Sequence, residues 1–175
     1  TLVTQALASG HWQPEWHALT RPAWGAVEAT LRMAAMAGQA DSPVYIVHMN
    51  AGGEVDMLKY ARERGVKVMA MVATVHDARE VAAIGVDVIV AQGGEAGGHR
   101  SVGRKPADPS TAMVGTMALV PQIVDLVRVP VVAAGGMADG RGLVAALALG
   151  AHGVLLGTRF VATRESMAPE FYKKS

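Results

Sequence analysis

The chain contains no cysteine, which excludes disulfides, thiolate metal sites and cysteine nucleophiles and makes a reducing, cytoplasmic setting the expected one. Aromatic residues make up only 5% of the 175 residues and charged residues 18%, with 16 Lys and Arg against 15 Asp and Glu. A net charge of +1 from interspersed signs leaves no footprint for nucleic acid or for an anionic lipid surface. No apolar run reaches the roughly 18 residues that span a bilayer, and no basic-then-apolar leader opens the chain, so neither a membrane nor a secreted protein is expected.

What is present is apolar and glycine-rich. Hydrophobic residues make up 51%, enough for one compact core at single-domain length. The 20 glycines follow no period and form no low-complexity tract, so they are expected in tight turns and ligand-facing loops. Their distribution is uneven: 14 lie at or after Gly85, whereas all three tryptophans (Trp12, Trp16, Trp24) fall in the first 24 residues.

Five short runs, 44–49, 66–73, 86–91, 129–134 and 153–156, are almost continuously apolar, the pattern of parallel strands buried on both faces. Helical segments are expected between them: Glu54 to Arg64, Asp77 to Ile84 starting from the polar turn at Thr74, a helix opened by Pro121 and running to Val127, and Arg141 to Leu149. Asp139 is a candidate N-cap for the last of these and Gly150 a candidate C-cap. The fold class is therefore α/β, a succession of about five parallel βα units. Strand starts are spaced by 22, 20, 43 and 24 residues. The long interval exceeds what a helix and two turns need, which places a loop from Gln92 to about Leu119 directly after a strand, where α/β folds carry their chemistry.

That loop opens with Gln92-Gly-Gly-Glu-Ala-Gly-Gly-His99. Four glycines let a backbone approach a flat or anionic ligand and leave Gln92, Glu95 and His99 as the functional side chains. A histidine so placed can serve as base, acid or hydrogen-bond donor near neutral pH; an incidental histidine on a surface turn is the plain alternative. Ala133-Ala-Gly-Gly-Met-Ala-Asp-Gly140 and Leu156-Gly-Thr-Arg159 follow the next two strands, so Gly135, Gly136, Gly157 and Thr158 read together as a phosphate cradle. No Walker loop and no dinucleotide-binding glycine fingerprint occurs. Met69 and Met71 read as core and His152 as structural. Arg100, Arg104 and Lys105 form either a solvated basic loop or a site for an anionic substrate tail. His48 is either a metal ligand or a buried histidine, and with no second His or carboxylate at ligand spacing no metal is assigned.

From about residue 65 the stretches VKVMAMVATVHDAREVAAIGVDVIVAQGGEAGGHRS and ALVPQIVDLVRVPVVAAGGMADGRGLVAALALGAHGVLLGTRFVATRES resemble the carboxyl-terminal half of the nitronate monooxygenases, FMN-dependent (β/α)8 TIM barrels. The resemblance implies FMN as cofactor, with Gln92 and Gly97 contacting the flavin, Gly136 and the turn Leu155, Leu156, Gly157, Thr158 holding its phosphate, and His99 as the catalytic or substrate-binding residue. It implies an alkyl nitronate or nitroalkane and oxygen as substrates, and a carbonyl compound and nitrite as products. The family often carries Gln where this chain has Leu155. An FMN-dependent enoyl-ACP reductase, whose glycine-rich loop also bears such a histidine, is the second enzyme reading. Residues 1–64, with GHWQPEWHALTRPAWGAVEATLRMAAMAG and SPVYIVHMNAGG, resemble instead a fragment of a dihydropyrimidinase or hydantoinase. These resemblances imply a chimera, with a join near 61–65 and residues 65–175 as the FMN-binding half-barrel of one compact domain. Five strands cannot close a barrel of eight. A catalytically silent half-barrel is therefore the third reading, and open edges imply self-association or pairing with a complementary fragment.

Overall fold

The structure, a computed structural model, describes residues 32–33, 35–36, 38–40, 54–102 and 109–173. The chain divides into two units, residues 1–44 with 50–67 and residues 45–49 with 68–175. The expected first strand at 44–49, with His48, lies outside the described residues, as do Arg104 and Lys105.

In the first unit, α1 (Glu54–Glu63) ends where Gly65 takes a φ of +72°, a left-handed turn that glycine adopts without a Cβ penalty. The Gly65 amide donates to Arg62 O and the Val66 amide to Ala61 O, and the Arg64 guanidinium lies 3.4 Å from the centre of the Tyr60 ring.

The described residues of the second unit form a parallel sheet of four strands, β1 (Met69–Val72), β2 (Val88–Gln92), β3 (Val131–Ala134) and β4 (Gly153–Leu155), in the spatial order 1-2-3-4. Between them run α2 (Val75–Ile84), α3 (Thr116–Leu126) and α4 (Gly140–Ala148); short helices α5 (Thr158–Val161) and α6 (Glu170–Lys173) follow. Each strand pairs with the next in sequence and the order never reverses, which distinguishes a segment of a (β/α)8 barrel from a doubly wound sheet. The α/β partial barrel expected from the sequence is the observed architecture.

Strand alternation divides the sheet into two faces. Ala70, Val72, Ile89, Ala91, Val131 and Ala133 are all buried, and with Leu119, Val120 and Ile123 of α3 they build the core. The register aligns Gln92 with Ala134 and Ala134 with Leu155, so these three occupy one row of the other face at the carboxyl end of the sheet.

Helix starts are set by side chains. Thr74 caps α2: its hydroxyl oxygen accepts from the Asp77 amide at 3.0 Å and donates to the Asp77 carboxylate at 2.8 Å. Asp139 caps α4 as expected, accepting from the amides of Arg141 at 2.9 Å and Gly142 at 3.4 Å. The expected helix opening at Pro121 is corrected: α3 begins five residues earlier and Pro121 lies inside it. A proline at that position removes one helical N–H, whose partner would have been the carbonyl of Met117, a residue 66% exposed and open to water. The true start is fixed by a carboxylate 21 residues upstream, invisible to a local rule. His152 has the structural part expected of it: its amide donates to Val131 O at 2.7 Å and its Nδ1 accepts from the Val131 amide at 3.4 Å, tying the entry of β4 to β3.

Candidate functional site

The carboxyl ends of β2, β3 and β4 and the turns after them line a half-open cavity of about 490 Å³, within the usual range for small-molecule sites. Gln92, Gly97, His99, Gly136, Leu155, Leu156, Gly157 and Thr158 all line it. The residues nominated from the sequence are thus brought together at one place, on three separate βα turns. Met71, Ala134, Met137 and Ala162 supply apolar wall, and Arg159 a cation. Met71 corrects the expectation that both strand methionines are core: Met69 and Met71 are half-buried, and Met71 reaches the cavity. The signal lay in the alternation, which puts Met71 on the face opposite the buried Ala70 and Val72.

The glycine-rich loop after β2 divides its glycines between two tasks. Gly93 and Gly94 press against the segment entering α3: a Cβ on Gly93 would lie 2.6 Å from the Thr116 backbone, and one on Gly94 2.6 Å from Met113 O. Only the second pair, Gly97 and Gly98, lines the cavity. After β3, Gly135 and Gly136 have φ of +117° and +70°, conformations that L side chains rarely adopt. A Cβ on Gly136 would meet Glu95 Cβ at 3.3 Å, whereas one on Gly157 would meet nothing within 4 Å. The cradle expected at a helix N-terminus is modified, because Asp139 already occupies the first amides of α4. The remaining candidates are the 135–137 turn and the amides of Thr158 and Arg159, which precede the first bonded amide of α5, that of Phe160 donating to Gly157 O.

The polar side chains are held in a tight network. Gln92, only 3% exposed, donates from Nε2 to His99 O at 2.8 Å and accepts at Oε1 from the Ser101 amide at 2.7 Å, closing the loop across its neck. Arg100 turns inward, contrary to the expected solvated loop or substrate-tail site. Its Nη1 donates to Gln92 O at 3.0 Å and Gly93 O at 2.8 Å, and its Nη2 to Gly94 O at 3.1 Å. Glu95 sits at the start of α3, where Oε2 accepts from the Thr116 amide and hydroxyl, each at 2.8 Å.

Partial burial pushes the Glu95 carboxyl upward, but hydrogen bonds from its own amide and from Thr116, with the charge of Arg100, outweigh it and hold the pKa below the usual carboxylate value. Burial lowers the Arg100 pKa, an effect the Glu95 charge opposes, and the guanidinium stays cationic. A carboxylate with a lowered folded-state pKa contributes stability above its unfolded value and loses it as pH falls through the folded one. Acidification below the ordinary carboxylate range is therefore expected to loosen the start of α3, and Glu95→Gln to flatten that acid limb. Urea midpoints measured against pH check this, and a limb of unchanged slope in the variant contradicts the cap.

Among the described residues, no group of three or more His, Asp or Glu could hold a metal ion, and no helix is long and apolar enough to cross a membrane.

The family model described as "Nitronate monooxygenase" matches residues 14–175. A probable nitronate monooxygenase of Staphylococcus saprophyticus is 46% identical over 120 residues, 69% of this chain and 34% of that protein, and one of Staphylococcus aureus is 46% identical over 117 residues. The chain spans about a third of the length of the curated relatives it matches. Among solved structures, nitroalkane oxidase from Streptomyces ansochromogenes superposes with a TM-score of 0.72 at 30% identity, covering 86% of this chain and 50% of that one. FabK from Thermotoga maritima superposes with a TM-score of 0.65 at 38% identity, covering 81% and 41%. The family match begins at residue 14 and runs across the expected join at 61–65, so the hydantoinase resemblance of residues 1–64 and the chimera gain no support from it.

Proposed function

Because the chain belongs to the nitronate monooxygenase family, we propose that it is an FMN-dependent oxidoreductase acting on alkyl nitronates with oxygen, yielding a carbonyl compound and nitrite. The observation that carries the reading is the convergence of Gln92, Gly97, His99, Gly136 and the 155–158 turn on one cavity. The cavity suits the cofactor chemically: a Cβ on Gly157 would meet nothing within 4 Å, which leaves room for a phosphate beside the amides of Thr158 and Arg159, and Met71, Ala134 and Leu155 offer apolar wall to a flat ring.

Gly136 and residues Leu155, Leu156, Gly157 and Thr158 would hold the phosphate of FMN, and Gln92 and Gly97 would contact the flavin. FMN, when bound, supplies the electron acceptor that nitronate oxidation needs. His99 hydrogen-bonds the nitro oxygens of the anionic substrate and orients it; with a neutral nitroalkane its ring nitrogen accepts the α-proton. The setting proposed is the cytoplasm, and the macromolecular partner proposed is a second copy of the chain or a complementary fragment. Sedimentation velocity tests that arrangement: a species heavier than the 18.2 kDa chain is expected, and a stable monomer contradicts it.

Nitrite release from the FMN-loaded chain and an alkyl nitronate in air tests the reaction. His99→Asn is expected to lower the rate by about 10²–10⁴-fold. A flavin-loaded chain that releases no nitrite, or a variant as fast as the parent, contradicts it. The FMN-dependent enoyl-ACP reductase stays as second reading because the same histidine-bearing loop lines the cavity. NAD(P)H oxidation that requires an enoyl thioester would select it, whereas nitronate turnover without such oxidation favours the monooxygenase.

A further inference from the structure

The residue that shapes the glycine-rich loop is not one of its glycines. In β2 and its continuation three successive carbonyls, those of Gln92, Gly93 and Gly94, all receive hydrogen bonds from the one guanidinium of Arg100. Arg100 adjoins His99 in sequence, and the carbonyl of His99 is itself held by Gln92 Nε2. The loop is therefore pinned at both of its ends by two side chains that lie six to nine residues from their partners. Glu95, midway along it, anchors the loop to α3 through Thr116 and stands as the counter-charge to Arg100.

We infer that Arg100 is a positioning residue for this site: by gathering the carbonyls of residues 92–94 it presets the loop that places His99, Gly97 and Gly98 at the cavity wall. The fork geometry matters, since a lysine ammonium is a point charge on a flexible stem and cannot span three carbonyls with fixed directions. The consequence for the loop follows from these contacts alone; the consequence for cofactor binding rests on the FMN reading above.

The test measures amide hydrogen exchange in the full chain without added ligand, for the parent, Arg100→Lys and Arg100→Met. Loop amides with defined acceptors report on the clamp: Gly94 to Val114 O, Ala96 to Gly93 O and Ser101 to Gln92 Oε1. The His152 amide, bonded to Val131 O, reports on the sheet. Arg100→Met is expected to accelerate loop exchange at least about tenfold, the equivalent of one lost charge-assisted hydrogen bond, with Arg100→Lys intermediate and the His152 amide unchanged. FMN titrated into the same proteins should bind about tenfold more weakly to Arg100→Met. Loop rates equal to the parent's overturn the inference. So does an equal acceleration of loop and His152 amides, which is what a general loss of stability produces. If the parent takes up no FMN, the FMN reading fails, while the exchange comparison still decides the role of Arg100.

Discussion

Replacing Gly93 with alanine is expected to cost about 1–3 kcal/mol of stability and to abolish FMN uptake with it. The added Cβ would lie 2.6 Å from both the Cα and the amide nitrogen of Thr116. Both are backbone atoms at the first turn of α3, so neither can rotate away. Relief requires the end of β2 or the whole start of α3 to move. The Gly93 amide is bonded to Ala134 O at 2.9 Å, which fixes the strand side, and Thr116 is bonded to Glu95, which fixes the helix side. Movement of either displaces the loop that carries Glu95, Gly97 and His99. Gly140→Ala is the matched control: its Cβ would meet nothing within 4 Å and its φ is not positive, so it should leave stability unchanged or raise it by up to about 1 kcal/mol. Urea melts and FMN titrations of the two variants check the contrast, and a Gly93→Ala protein that melts and binds like the parent contradicts the close approach.

Leu119→Ala carries the second large effect, expected at about 2–5 kcal/mol in a domain whose whole stability is typically only about 5–15 kcal/mol. Leu119 has no exposed surface and lies on α3 with Val120 and Ile123, also fully buried, on the helix that packs against α2, β2 and β3. Truncation leaves a hole at the junction of three elements, where no single one can collapse to fill it. Leu119→Met, nearly equal in volume, should cost less than about 1.5 kcal/mol. Denaturant midpoints with unchanged slopes check both, and an alanine variant within about 0.5 kcal/mol of the parent contradicts the packing.

These two positions also mark what was legible beforehand. The strands read out from the sequence because parallel strands covered on both faces need near-continuous apolar runs, and the runs at 86–91 and 129–134 coincide closely with β2 and β3. Helix α4 read out because its cap, Asp139, is local. Helix α3 did not: its cap is Glu95, and the local signal of Pro121 pointed to the wrong turn. The same distinction applies to the site. Glycine clusters after strands identified the turns that meet at the cavity, since backbone conformation is written in residue type. Which glycines serve packing and which face the cavity was not written there, because it depends on what crosses above: Gly93 lies against Thr116 at the start of α3, Gly94 against Met113 just before it, and Gly97 beside Thr158. Arg100 was misread for the same reason, since an inward-facing guanidinium and a solvated one look alike in sequence. Met71 was hidden by a general preference of methionine for cores, although the strand period placed it on the cavity face.

The turns around Gly136 and 155–158 are proposed to hold a flavin phosphate. Titrating the purified chain with FMN and, separately, with riboflavin, which has the same ring but no phosphate, tests it most directly through quenching of flavin fluorescence. Saturable quenching by FMN is expected, with riboflavin bound at least about a hundredfold more weakly, the equivalent of two charge-assisted hydrogen bonds. No quenching by FMN, or equal affinity for the two flavins, would contradict it.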